Sequence, residues 1–156
     1  MAIPSRQIGW GTESNLLWQI SKQLEYLAKV TATSAGANGT GANGTTPYKL
    51  ISTASTNANV VKASAGNLYS ITAIGQTSTI KYLKLYNKAT APSVGSDVPV
   101  MTIPVPANTQ GAGLTIPFPI SVNFPLGIGI AITSGAADND NGVIGAGDVI
   151  LNLTYA

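Results

Sequence analysis

The strongest constraint on the fold is a two-residue alternation of apolar and polar side chains across 48–155. Ile128, Ile130 and Ile132 alternate with Gly129 and an alanine. This period is typical of β-strands that bury one face, and no helical pattern interrupts it. The alternation predicts strands at 48–53, 58–64, 67–74, 79–87, 98–103, 113–118, 119–124, 128–133 and 147–155.

Short strands separated by turn residues predict a mainly β domain, an antiparallel β-sandwich of either the jelly-roll or the Ig-like kind. In the third strand we expect Tyr69, Ile71 and Ala73 to share one face. Proline removes a backbone donor and is therefore excluded from central strands. The stretch that is rich in proline should accordingly supply edges, bulges and crossovers, with prolines at 99, 104, 106, 117, 119 and 125.

The N-terminal segment carries a different pattern, which predicts a short helix. Thr12 is suited to cap its start, and Lys29 lies in its last turn. Apolar residues recur within it at spacings of 3, 4 and 3, which is a coiled-coil seam two heptads long. We expect an anchor that binds a partner, formed by Leu17, Ile20, Leu24 and Leu27 in the seam, Leu16 and Trp18 beside it, and Trp10 before the helix.

A glycine-rich segment separates this helix from the strands. It contains GANGT twice in tandem, at 36–40 and 41–45. Such a composition buries no core and behaves as a flexible linker. We therefore predict a helical anchor or oligomerisation segment at 1–30, a linker at 31–46 and a β-sandwich domain at 47–156. The alternative is that the helix packs on its own β domain.

The composition excludes several kinds of chemistry. The chain has no cysteine and no histidine, which rules out disulfides, Cys/His metal sites and catalysis through Cys–His or Ser–His–Asp groups. Only 9% of the residues are charged. All eight bases lie in 1–88, and 89–156 holds four acids and no base. Either the basic part faces a polyanion, or the two parts neutralise each other within one sandwich. We favour neutralisation, because no basic–aromatic cluster marks a nucleic-acid site.

The acidic stretch Asp138–Gly142 is the one candidate for metal chemistry. Its pattern fails as an EF-hand, because Val149 stands where a bidentate glutamate is required. A calcium site of another kind is the alternative to the reading we prefer, an exposed hairpin tip at Asn141-Gly142. A carboxylate pair on such a loop lacks the apolar pocket that general acids need. We expect no enzyme activity, no cofactor and no metal.

Strand 79–87 is ambiguous, since Leu83 and Leu85 lie on one face while Tyr82, Lys84 and Tyr86 lie on the other. With nearby prolines, the two tyrosines would suit a glycan-binding surface by stacking. The alternative that we favour is packing at a sheet or subunit interface, where tyrosine is enriched.

Two segments resemble a known group of proteins. The first is IPSRQIGWGTESNLLWQISKQLEYL at 3–27, and the second covers most of 68–156, including KYLKLYNKATAPSVGSDVPVMTIPVPA and AGDVILNLTYA. The first is similar to the N-terminal signature of small structural proteins of tailed-bacteriophage virions, and the second to a β-sandwich module of such proteins. The resemblance implies capsid decoration, a head fibre or another appendage, with a homotrimer as the expected assembly.

No secretory signal and no run of about 18 apolar residues is visible, so we expect neither export nor a membrane span. The expected location is the virion, after synthesis in the host cytoplasm. The expected partners are further copies of the chain and a capsid or other virion protein, with neither nucleic acid nor membrane. The alternative function is a glycan- or receptor-binding module of a tail appendage.

Overall fold

The computed structural model describes residues 15–25, 44–108 and 110–156. The chain divides into two units, Met1–Asn43 and Gly44–Ala156. In the first unit, residues 15–25 form a helix, α1. Within the described residues, no helix has the length and apolar character that crossing a membrane would require.

The second unit contains eight strands in two antiparallel four-stranded sheets. The strands are β1 (Thr46–Ile51), β2 (Asn59–Lys62), β3 (Gly66–Gly75), β4 (Lys81–Asn87), β5 (Met101–Val105), β6 (Gly113–Phe124), β7 (Ile128–Thr133) and β8 (Val149–Tyr155). Sheet A has the order β1-β8-β3-β6, and sheet B has the order β2-β7-β4-β5. The expected mainly β sandwich is therefore confirmed.

The pairing also distinguishes between the two topologies that the sequence left open. Strand β1 pairs with β8, β2 with β7, β3 with β6, and β4 with β5. Except for β4 and β5, consecutive strands lie in different sheets. This is the pattern of one long antiparallel ribbon rolled up on itself, which is a jelly roll.

The core lies between the two sheets, where the inward-facing residues of both meet. Ile128, Ile130 and Ile132 are fully buried in it, as the alternation predicts. The other buried members are Val61, Leu68, Ile71, Ala73, Leu83, Leu85, Ile103, Val105, Phe124, Ile144, Val149, Leu151 and Leu153. An ion pair between Lys81 and Asp148, 3.3 Å apart and mostly buried, connects β4 to the residues just before β8.

Two details of the strand prediction are wrong. Strands 113–118 and 119–124 are a single twelve-residue strand, β6. Its ladder with β3 is interrupted by a bulge in which 118–121 lies opposite Tyr69 alone. The second wrong detail is the face predicted for Tyr69. Because the bulge shifts the alternation along β3 by one residue, Leu68 lies in the core with Ile71, and Tyr69 is only half-buried.

The prolines occupy the places that the sequence predicts. Pro104 lies in β5, and Pro117 and Pro119 lie in β6, all on edge strands. The edge strand β1 contains Pro47, and the fourth edge, β2, is four residues long with a register shift after Val60. Every edge of this sandwich therefore has a feature that discourages pairing with a strand from another chain.

Candidate functional site: an exposed helix and a loop-covered sheet

The helix α1 presents the predicted apolar residues to solvent. Its five large apolar side chains, Leu16, Leu17, Trp18, Ile20 and Leu24, are each 51–68% exposed. Leu17, Ile20 and Leu24 follow one another at 3 and 4 residues and so lie on one helix face. Trp10 and Leu27, the other two predicted anchor residues, lie outside the described residues.

The polar side chains of α1 lie on another face. Lys22 and Glu25 form an exposed ion pair with a 2.8 Å contact, one turn apart. Such surface pairs add only a few tenths of a kcal/mol to a helix, so they do not hold an isolated helix together. The eleven helical residues that the structure describes would be marginal as a helix in water by themselves, so burial of the apolar face is the expected source of stability.

The outer face of sheet B is covered by two long connections of its own unit. Lys84 and Tyr86 project from this face and are almost wholly buried, at 0% and 1% exposure. The connection 134–148 passes over Lys84, and the connection 88–100 passes over Gly129, where Pro92 lies 3.5 Å from the place a Cβ would occupy. This covering explains the ambiguous sequence of β4: both of its faces are buried, one in the core and one under loops.

Lys84 holds its covering loop through backbone oxygen atoms. Its ammonium donates hydrogen bonds to the carbonyls of Ala137 at 2.6 Å and Asp140 at 3.0 Å, with Asp138 O more distant at 3.5 Å. The buried positive charge is thus satisfied by carbonyl dipoles.

The acidic stretch Asp138–Gly142 belongs to this loop, and the expected hairpin tip is wrong. Strands β7 and β8, on either side of it, lie in different sheets, so the segment is a crossover. The carboxylate of Asp140 accepts backbone N–H groups from Gly135 at 2.9 Å and Gly142 at 3.3 Å. Among the described residues, no group of three or more acidic side chains is arranged to hold a metal ion.

Tyr86 is buried too deeply to stack on a sugar, as the glycan-binding surface considered from the sequence would require. Of the two tyrosines, only Tyr82 is half-exposed, and it lies beside Pro104 on β5. The Tyr86 hydroxyl finds no hydrogen-bond partner within the described part of the chain. Burial raises the pKa of Tyr86 above its ordinary value, and the negative charges of Asp97 and Asp138 raise it further.

Beside Tyr86 a pocket of about 170 Å³ opens at the end of β4. It is lined by Tyr86, Asn87, Lys88, Asp97, Val98 and Val100. Lys88 donates a hydrogen bond to Asp97 Oδ2. This bond, followed by the N–H of Ser93, lowers the pKa of Asp97 below its ordinary value.

Sequence reasoning missed this pocket. Its polar members come from the end of a strand and from a connection whose path no local pattern reveals. The available signal was the pairing of charges: Lys88 is the last base of the chain, and Asp97 is the next charged residue after it. The pairs Lys88–Asp97 and Lys81–Asp148 join the basic part to the acidic part, in agreement with neutralisation within one sandwich.

No protein-family model matches the chain, and a search among curated proteins gives no match either.

Proposed function

We propose that this chain is a structural protein of a bacteriophage virion, in which the N-terminal segment attaches the protein and the jelly roll is displayed as a capsid decoration or head-fibre module. The observation that carries the proposal is the exposure of five large apolar side chains on α1. An exposed apolar surface of this kind marks an interaction site in a soluble protein.

The sequence resemblance implies the trimer that we propose, and the order of residues in the seam is compatible with it. With Leu17 and Leu24 at a positions, Ile20 and Leu27 occupy the d positions. Leucine at a with isoleucine at d shifts parallel coiled coils from dimers towards trimers and tetramers. Each seam residue that becomes buried contributes on the order of 1.5–3 kcal/mol, so a short seam holds only in combination with further contacts.

The jelly roll is suited to display on the surface of a particle. Its edges carry proline or a register shift, so neighbouring copies on a crowded surface do not add strands to one another. Its fold alone does not decide the function, since jelly rolls occur in capsid proteins, lectins and enzymes alike. The support for a virion location is the sequence resemblance, which covers 3–27 and most of 68–156.

Analytical ultracentrifugation tests the assembly. The intact chain should sediment as a trimer at tens of micromolar, and Ile20→Asp should shift it to the monomer, because three buried charges would meet at the seam. Gln19→Asp, at the exposed c position one residue before Ile20, is the matched control and should leave the trimer in place. A monomeric intact chain would refute self-assembly through α1.

A second function, a glycan- or receptor-binding module of a tail appendage, is favoured by one observation, the pocket at the end of β4. That pocket belongs to the jelly roll alone, so both functions fit within one chain.

A further inference from the structure

The pocket at the end of β4 is formed by residues that backbone hydrogen bonds fix in place. The N–H of Lys88 donates to Gly127 O at 3.0 Å, and the N–H of Val100 donates to Leu85 O at 2.8 Å. The N–H of Ser93 donates to Asp97 Oδ2 at 2.7 Å. The two arms of the 88–100 connection are therefore held at β4 and at the β6–β7 turn, which preorganises the groups between them.

The polar groups of the pocket keep hydrogen-bonding capacity. Both described bonds to the Asp97 carboxylate end on Oδ2, so Oδ1 retains its lone pairs. The Lys88 ammonium has three protons, of which the bond to Asp97 uses one. The Asn87 amide oxygen accepts the N–H of Leu126 at 2.9 Å, and its NH₂ group donates no hydrogen bond to a described residue.

These groups place acceptors beside donors, which is what a hydroxyl group requires, since it donates one hydrogen bond and accepts others. A phosphate would be repelled by Asp97, whose low pKa keeps it ionised. A divalent cation would find one carboxylate already paired with Lys88, far short of the six or more oxygen ligands of calcium.

The remaining wall is apolar and open. Val98 and Val100 are 73% and 58% exposed at the rim, and Tyr86 closes the inner side. A pocket of about 170 Å³ lies below the roughly 300–1,000 Å³ of sites for drug-sized ligands, which limits the occupant to a single small ring. A sugar ring has both required features, hydroxyl groups at its edge and C–H groups on its face.

We propose that this pocket binds one glycosidically linked sugar residue, with two neighbouring hydroxyls on Asp97 Oδ1, Lys88 Nζ and Asn87 Nδ2, and the C–H face against Val98 and Val100. The exposed rim leaves room for the rest of a glycan to extend into solvent. This inference does not rest on the anchor or on the virion location, because every residue that it uses belongs to the jelly roll.

The test is an amide chemical-shift titration of the ¹⁵N-labelled intact chain with the methyl glycosides of glucose, galactose, mannose, rhamnose and N-acetylglucosamine. At least one glycoside should shift the amides of 87–100 and leave those of β1 in place, with millimolar affinity. Lys88→Met, which keeps an aliphatic stem without the ammonium, should weaken that binding at least fivefold. Lys49→Met removes an exposed lysine on β1 and should change nothing.

Asp97→Asn provides a second variant, which keeps one side-chain oxygen at this position but removes the carboxylate charge. It should also weaken binding. Melting curves show whether both variants are folded. The proposal is overturned if no glycoside shifts the pocket amides at a concentration about 50-fold above a millimolar dissociation constant. It is also overturned if Lys88→Met binds the glycoside as tightly as the parent does. Shifts confined to the amides of Tyr82 and of Val105, the residue after Pro104, would equally overturn it, as would binding of the free reducing sugars when their methyl glycosides do not bind. A failure here leaves sedimentation of the α1 variants unchanged, so the two proposals fail independently.

Discussion

Replacing Lys84 by methionine tests whether a buried ammonium holds the 134–148 connection on sheet B. The change keeps the length of the side chain and removes the donor, which leaves the carbonyl of Asp140 unpaired beneath the loop, while the carbonyl of Ala137 keeps the N–H of Asp140. An unpaired buried carbonyl costs about 1–3 kcal/mol. Methionine recovers part of this loss because its uncharged side chain avoids the free-energy cost of removing an ammonium group from water.

We therefore expect Lys84→Met to lower the free energy of unfolding by about 1–2 kcal/mol, in the lower half of the range for one carbonyl. Chemical denaturation at fixed protein concentration measures the change, and it corresponds to roughly 4–8 °C in melting temperature for a domain of this size. The exposed Lys49→Met is the matched control and should stay within about 0.5 kcal/mol of the parent.

The loss should also be local. Within the loop, Ser134 N–H donates to Gly142 O and Asp140 N–H donates to Ala137 O, and both amides should exchange hydrogen faster in Lys84→Met. The amides of β8, on the other side of the core, should change only through the global stability. A variant as stable as the parent, with unchanged exchange in 134–142, would refute the argument that Lys84 holds this loop.

Two further predictions follow from the ionised groups of the jelly roll. Because Lys88 and the N–H of Ser93 lower the pKa of Asp97, its contribution to stability is present above the unfolded value of about 3.9 and is lost as the pH falls through the lower folded value. Denaturation curves between pH 5 and pH 2 should therefore fall less steeply for Asp97→Asn than for the parent, and parallel curves would contradict this. EDTA should leave the melting temperature unchanged within about two degrees, because the carboxylates of Asp140 and Asp148 are held by backbone N–H groups rather than by calcium; a larger fall would place a metal in the 134–148 loop.

The sequence predicted the elements better than their arrangement. Alternation located the strands because each buries one face, and proline located the edges because it cannot donate to a ladder. The predicted inner face of β3 is right for Ile71 and Ala73 and wrong for Tyr69, because the bulge opposite Tyr69 depends on residues of β6 about 50 positions further along the chain. The choice between jelly roll and Ig-like topology was open for the same reason, since pairing between β1 and β8 leaves no local pattern.

The covered face of sheet B shows a second limit. A lysine and a tyrosine opposite two leucines in β4 look like the solvent face of a strand, yet both are buried. What buries them is a pair of connections whose path follows from long-range contacts. A partial signal was present in β7, where Gly129 and Ala131 leave space on the outer face for a chain to pass close by. The pocket was invisible from the sequence because it forms where one of these connections meets the end of β4.

The most direct test of the proposed virion role is incorporation into particles of the parent phage that lack this protein. The fragment 47–156, which contains both sheets but for one residue of β1, should fold by circular dichroism and fail to join the particles, while the intact chain joins them at full occupancy. Trp10→Ala, in the predicted anchor, should reduce incorporation more than Gly39→Ala in the predicted linker, because a buried tryptophan contributes far more to an interface than a linker residue. Decoration by the fragment at full occupancy would contradict the account and assign attachment to the jelly roll itself.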